Sequence, residues 1–275
     1  MSENLGVRAA RPARRRAVLI LGGIAAVTVL LVVALVALLL GRGGSEPPPS
    51  ATRREPVAQA PAAGDDGWDV AAQTELATRA MLELPESASQ PHGLTRDTAG
   101  LPLALPAAGA TSGRWVPGGF PATPEGALAQ LAALTEAGLS GGDPQAYRQA
   151  YESVALPGAP AADTTVMYRN LQQLRAGAGL PRTGAAAGLA LTYRTTSGLI
   201  KGTTDAGRYV VVCVLGEYSA QHQGRAVAGG FGDCQAMRHV DGEWRISPGA
   251  AAAKAPNAWP GTAEAVAVGY RDVVR

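Results

Sequence analysis

The sequence predicts an α+β domain held behind a single N-terminal membrane span, and three observations carry that prediction. Residues 17–40, AVLILGGIAAVTVLLVVALVALLL, form a run of about 24 residues without a charge or a proline. Residues 41–66 are rich in proline, glycine and alanine and show no periodic apolar face. Beyond them, apolar residues recur at helical spacing from Thr123 and give way to strand-like runs after Gly188.

At 1.5 Å of rise per residue the apolar run measures roughly 36 Å, enough to cross a hydrocarbon core of about 30 Å with some tilt. The preceding residues 1–16 carry Arg8, Arg11, Arg14, Arg15 and Arg16 against one acid, Glu3. This excess of positive charge keeps the basic tail in the cytoplasm and sends everything after Gly41 outside. A cleaved secretory signal has a shorter apolar core and a small-residue cleavage site soon after it. Here the nearest such pattern, Ala58-Gln59-Ala60, falls well past the run. The expectation is a retained, single-pass anchor in the cell membrane, touching the bilayer through residues 17–40.

The net charge of the chain is +2, and the arginines of the tail account for much of that excess. Without a basic footprint outside the membrane, nucleic-acid binding lacks its main electrostatic requirement. Lysine appears only as Lys201 and Lys254, while alanine and glycine abound. Many apolar positions are therefore alanines, which bury little area.

Residues 41–66 read as an extended linker. Residues 67–119 read as a loop-rich lead-in: WDVAAQ and RAMLELP are short enough for strands or one helical piece, and Pro102 and Pro106 interrupt LTRDTAGLPLALP. From residue 120 to 275 the pattern is that of one α+β domain. Thr123-Pro124-Glu125 combines an N-cap, a first-turn proline and an acid, and predicts a helix through Leu128, Leu131 and Leu134 that stops near Gly138 and Gly141-Gly142. Asp143-Pro144 starts a second helix with Tyr147 and Tyr151 one turn apart, ending before Pro157. A third runs from about Ala162 to Ala176, with Val166, Met167, Leu171 and Leu174 on one face.

Four strand-like stretches follow, LALTYRTT, RYVVVCVLGEYS, AVAGGFGDCQAMRHV and EWRIS, which predict a curved antiparallel sheet of about four strands. Asp241-Gly242 is a hairpin dipeptide whose positive φ angles suit paired, twisted strands. Thr262 to Val274 reads as a short C-terminal helix.

Cys213 and Cys234 are the two cysteines of the chain. A hairpin turning on Gln223-Gly224 faces each residue with the one equidistant from the turn, which sets Cys213 opposite Cys234. Facing residues of a non-hydrogen-bonded pair come within about 4.5 Å, close enough for a cross-strand disulfide. A bulge at Gly229-Gly230 or Gly232 would spoil this register, and the alternative is two buried free thiols.

Residues suited to chemistry are scattered. His92, His222 and His239 fall in the lead-in, at a hairpin end and in a strand, and neither of the last two makes a metal-ligand spacing with both cysteines. Ser112 and Ser140 lack a nucleophile-elbow context. Ala228-Gly229-Gly230-Phe231-Gly232 leads into a strand rather than a helix, so it lacks the terminal dipole of a phosphate loop and reads as a bulged strand. Asp205 and Asp233 are candidate acids or bases without an evident partner, and Tyr193, Tyr209 and Tyr218 are the aromatic polar groups nearest in kind to a pocket. No catalytic residue, metal or cofactor is expected.

Three helices followed by a curved antiparallel sheet resembles the nuclear-transport-factor-2-like, or cystatin-like, fold, whose helices pack into the concave face as a cone. With a short basic tail, one span and a linker, the layout resembles the bridging components of type IV secretion and conjugation machines. Gly119-Phe120-Pro121-Ala122-Thr123-Pro124-Glu125-Gly126-Ala127, preceded by Trp115, and Trp259-Pro260-Gly261-Thr262 resemble uncharacterised single-span proteins of mobile elements in high-GC Gram-positive bacteria. These resemblances imply a role in conjugative transfer or a secretion apparatus. An anchor, a linker and a domain without evident chemistry read as a non-enzymatic, membrane-anchored extracytoplasmic assembly or interaction protein with envelope or self-association partners. The alternative is an envelope module that holds a small molecule or lipid in the cone, unless Leu131, Tyr147, Leu171 and Trp244 fill it.

Overall fold

The computed structural model describes residues 67–111 and 114–275. The predicted tail, membrane span and linker, and Ser112, lie outside the described residues. No helix among the described residues is long and apolar enough to cross a membrane.

The two helices predicted from caps at Thr123 and Asp143 form where the caps place them, and the third, expected from about Ala162, begins at Val166 after a 3-10 turn over Ala162–Thr164. Helix α1, Val70–Thr78, lies in the lead-in and is capped by Asp69, which accepts a hydrogen bond from the Ala72 N–H at 2.9 Å. Helix α2, Pro124–Leu139, begins with the Gly126 N–H donating to Thr123 Oγ1 at 3.1 Å. Helix α3, Pro144–Val154, is capped by Asp143, and α4, Val166–Gly177, by Thr165. Each side-chain oxygen satisfies a backbone donor that the first helical turn leaves free.

The sheet is mixed and curled into a half-barrel, and it holds six strands rather than about four. The long strands are β2, Ala190–Thr204; β3, Tyr209–His222; and β4, Arg225–Val240. Strand β5, Glu243–Ile246, follows the predicted turn, in which Asp241 and Gly242 both have positive φ. Two short strands extend the far edge in the order β1-β6-β2-β3-β4-β5: β1, Leu103–Ala104, and β6, Arg271–Val274. The expected C-terminal helix is corrected to α5, Ala263–Ala267, followed by β6. Gly269, at φ 95°, ends the helical stretch, and Arg271 and Asp272 then pair with Gly198 and Ser197 of β2. Strand β2 also runs past its predicted end to Thr204, with register shifts between Thr195 and Ser197 and between Ile200 and Gly202. Such irregularities bend and twist a strand and help to curl the sheet.

Strand β3 is buried on both faces from Tyr209 to Gly216, beyond which buried and exposed residues alternate. Val210, Val212 and Val214 pack with Leu128, Leu131, Tyr147, Tyr151 and Leu171 of the helices. The intervening Tyr209 and Val211 pack with Trp68, Leu76 and Ala77 of the lead-in, and Cys213 and Leu215 with Ala255, Ala258, Ala265 and Tyr270. The lead-in and a C-terminal strap of residues 252–270 thus cover the face of the sheet opposite the helices. Trp68 sits between two guanidinium groups, those of Arg208 and Arg238, each 4.4 Å from its ring.

The β3–β4 ladder runs without a register shift from Tyr209↔Arg238 to His222↔Arg225 around the turn at Gln223-Gly224. Cys213 and Cys234 face each other with Cα atoms 4.0 Å apart and form the disulfide. The bulge expected in the glycine-rich stretch is absent. Those glycines answer a close approach instead: a Cβ on Gly230 would lie 1.8 Å from the Ala258 carbonyl oxygen.

Two stability outcomes follow from these contacts. Replacing both cysteines by alanine removes a closed loop of 21 residues and is expected to lower unfolding free energy by about 3 kcal/mol in denaturant titrations. Trp68→Ala is expected to cost about 3 kcal/mol and to raise amide exchange at Tyr209 and Val211 more than in the helices.

Candidate functional site

The helix-facing side of β4 presents alternate residues, from the hairpin inward Val227, Gly229, Phe231, Asp233, Gln235 and Met237. The series begins in an open apolar cleft and passes to a buried carboxyl.

Deep in the cone the core is closed by side chains. Leu131, Tyr147, Leu171 and Trp244 are each at most 1% exposed, and the Trp244 indole N–H donates to the Pro121 carbonyl at 2.7 Å. Asp233, 4% exposed, lies near Tyr147 and Tyr151. Gln235 Nε2 is 3.1 Å from both carboxylate oxygens. Burial pushes the Asp233 carboxyl up to about 7, against a smaller lowering by the Gln235 amide. Burial likewise raises the Tyr147 and Tyr151 phenols, with the charge of Asp233 adding to the rise. The Tyr151 hydroxyl donates to the Pro160 carbonyl at 2.9 Å, whereas the Tyr147 hydroxyl is buried without a hydrogen-bond partner. A cavity of about 70 Å³ reaches Asp233 and Gln235 between Thr164, Thr165 and residues 251–255. It has room for water rather than for an organic substrate.

Nearer the surface, a cleft of about 380 Å³ opens between α4 and the outer ends of β3 and β4. Met167, Leu171 and Leu174 form one wall, and Tyr218, Val227 and Phe231 the other. The rings of Tyr218 and Phe231 meet edge to face, with centroids 5.3 Å apart. Asn170 Nδ2, which belongs to a lining residue, is buried without a hydrogen-bond partner.

The other candidates serve the fold. Asp205 accepts hydrogen bonds from the Asp69 N–H, Gln73 Nε2 and Thr204 Oγ1 at 2.7 to 2.8 Å. Burial raises its carboxyl, but these hydrogen bonds outweigh that effect and hold it below its ordinary value. His92 pairs with Glu264 at 3.1 Å, and its own contact with the Gln90 carbonyl, followed by that carboxylate, raises its pKa. His239 packs edge-on against Trp244, and His222 lies beside the hairpin turn with Nδ1 unpartnered. Ser140 is exposed at the end of α2. The Tyr193 hydroxyl donates to the Phe231 carbonyl at 2.9 Å and the Tyr209 hydroxyl to the Gln73 carbonyl at 3.2 Å. Burial pushes the Tyr209 phenol up to about 12.

The structure therefore brings Asp233 together with Tyr147, Tyr151 and Gln235, but leaves Asp205 and the histidines apart from it. Among the described residues no group of three or more His, Cys, Asp or Glu is placed to hold a metal ion. Sequence reasoning set Leu174 on an apolar helix face but connected neither it nor Asn170 and Val227 with a site, because only the tertiary fold sets α4 across from the β3–β4 hairpin. No family model matches the chain, and no curated protein or solved structure matches it.

The raised carboxyl makes stability depend on pH. Below its ordinary value of 3.8, Asp233 is protonated in both folded and unfolded chains and contributes no difference. Between about pH 4 and 7 the folded chain keeps a proton that the unfolded chain has lost, so stability falls as pH rises, and the loss is complete above 7. A rise from 3.8 to about 7 sets an upper bound on this loss on the order of 4 kcal/mol. Asp233→Asn is expected to unfold at higher denaturant than the parent at pH 8 and to flatten the decline between pH 5 and 8.

Proposed function

We propose that this chain is a non-enzymatic, membrane-anchored extracytoplasmic assembly protein whose outer domain has the nuclear-transport-factor-2-like architecture. The observation that carries the proposal is the succession of a basic tail, an uncharged run and a Pro/Gly/Ala-rich stretch ahead of a domain with a side-chain-filled cone. Helices α2, α3 and α4 precede strands β2 to β5 in sequence and pack on one face of the sheet, which supports the architectural part of the reading. Leu94 and Leu101 remain 71% and 81% exposed on the lead-in and offer apolar contacts to an envelope protein or a second copy. The partners proposed are the bilayer, through residues 17–40, and envelope proteins or copies of this chain. Nucleic acid and cofactors have no part in it. The filled cone weighs against a deep lipid pocket.

Topology and assembly are separately testable. Alkaline phosphatase fused after residue 66 is expected to be active outside the membrane, and removal of residues 17–40 should release the domain from the membrane fraction; an inactive fusion would overturn the orientation. A photo-crosslinking residue at position 101 is expected to capture an envelope protein of the transfer apparatus or a second copy, and a clean deletion should lower conjugative transfer. Normal transfer in that deletion would sink the assembly role.

A further inference from the structure

We propose that the cleft at the mouth of the cone binds an uncharged single-chain amphiphile, its apolar chain between α4 and the β3–β4 hairpin and its oxygen-bearing head at Asn170. This goes beyond the assembly role, which concerns protein contacts and does not require a ligand.

Size and wall chemistry give the first argument. A volume of about 380 Å³ falls within the range of small-molecule sites. The two walls are apolar, and Val227 is 53% exposed although it is a β-branched residue on the helix-facing side of β4. An apolar chain would cover it.

The second argument is the change of polarity at one end. The cleft shares Glu86, Gln90, Asn170, Gln173 and Phe231 with an adjoining hollow of about 750 Å³. That hollow is more polar and includes Glu83, Lys254 and Asn257. Apolar and polar compartments thus meet at Asn170, the arrangement required by a molecule with an apolar chain and a polar head.

The head group follows from the unpartnered donor and from charge. Asn170 Nδ2 is buried without an acceptor, a condition that an incoming carbonyl, ester or hydroxyl oxygen relieves. Glu86 is the one acidic or basic side chain among the described residues lining the cleft, and the hollow sets Glu83 and Glu86 against Lys254. A carboxylate or phosphate head would meet that negative excess, whereas an uncharged oxygen can accept from Asn170 without it.

The test uses the full chain in phosphatidylcholine nanodiscs with a diazirine-bearing monoacylglycerol as the probe and mass-spectrometric mapping of the label. Saturable labelling of α4 and of residues 227–231 is expected. Leu174→Trp, which fills the cleft, and Val227→Glu, which charges it at an exposed position, should each weaken labelling about tenfold, and Asn170→Leu about fivefold. Unlabelled monolaurin should compete better than laurate or dodecyltrimethylammonium. Unsaturable labelling, or labelling unchanged in both Leu174→Trp and Val227→Glu, would overturn the site. Stronger competition by either charged amphiphile, or an unchanged affinity in Asn170→Leu, would overturn the uncharged head. Because binding is read on purified protein, failure here and failure of the transfer assay are separate results.

Discussion

The register of the β3–β4 ladder is the constraint on which the rest of this domain depends. It is set by a two-residue turn, Gln223-Gly224, in which both residues adopt positive φ, a geometry that matches the twist of paired strands. Because side chains alternate across a sheet, a slip of one residue in β4 would turn its entire inner set outward. Phe231 and Met237 would leave the cone, Cys234 would lose Cys213, and Asp233 would face the strap. The disulfide closes the register that the turn begins. Gly230 adds a third condition, since the strap backbone at Ala258 leaves no space for a Cβ there.

What the sequence disclosed, and what it withheld, divides along the range of the interactions. Thr123 and Asp143 cap helices within three residues of themselves, so their signals are local and the helix starts are legible. The cysteine pairing is legible for the same reason, because counting outward from one short turn fixes it. Residues 262–274 mislead because TAEAVAVGYRDVV is short and satisfies a helical pattern as readily as an extended one. The choice of β6 over helix is made by Ser197 and Gly198 of β2, far away in sequence. The strap is obscure for another reason: Ala255 and Ala258 bury little area each and gain their place through close approach to Gly232 and Gly230. An alanine in that role carries no periodic signature.

The candidate site shows the same division. Asp233 is visible in the sequence as an unpartnered acid in a strand, but its environment comes from α3 and from the segments before α4 and after β5. A carboxyl buried with one amide for company is costly to ionise, so burial outweighs the Gln235 donor and raises its pKa. Arg175 is the instructive contrast. It is fully buried, yet its guanidinium donates to the carbonyls of Gly142, Pro181 and Gly184 at 2.6 to 2.9 Å. Those three acceptors let a charge tie the end of α4 to the loops around it.

The two ends of β3 are built for different duties. At Tyr209 the lead-in is locked by polar contacts: Gln73 bonds to Asp205 through its amide nitrogen and to Arg238 through its amide oxygen, and Trp68 lies between Arg208 and Arg238. The cleft lies near Tyr218, nine residues along the strand and roughly 30 Å away. Polar locking at the first end resists displacement, because moving Trp68 and α1 would strip Asp205 of two of its three donors and leave the arginines without the indole. The apolar cleft at the other end asks only for a chain to cover Val227 and an oxygen for Asn170. The polar cluster and the cleft thus stand at opposite ends of β3, the first where the strand is buried on both faces and the second where Glu217, Ser219 and Gln221 are exposed.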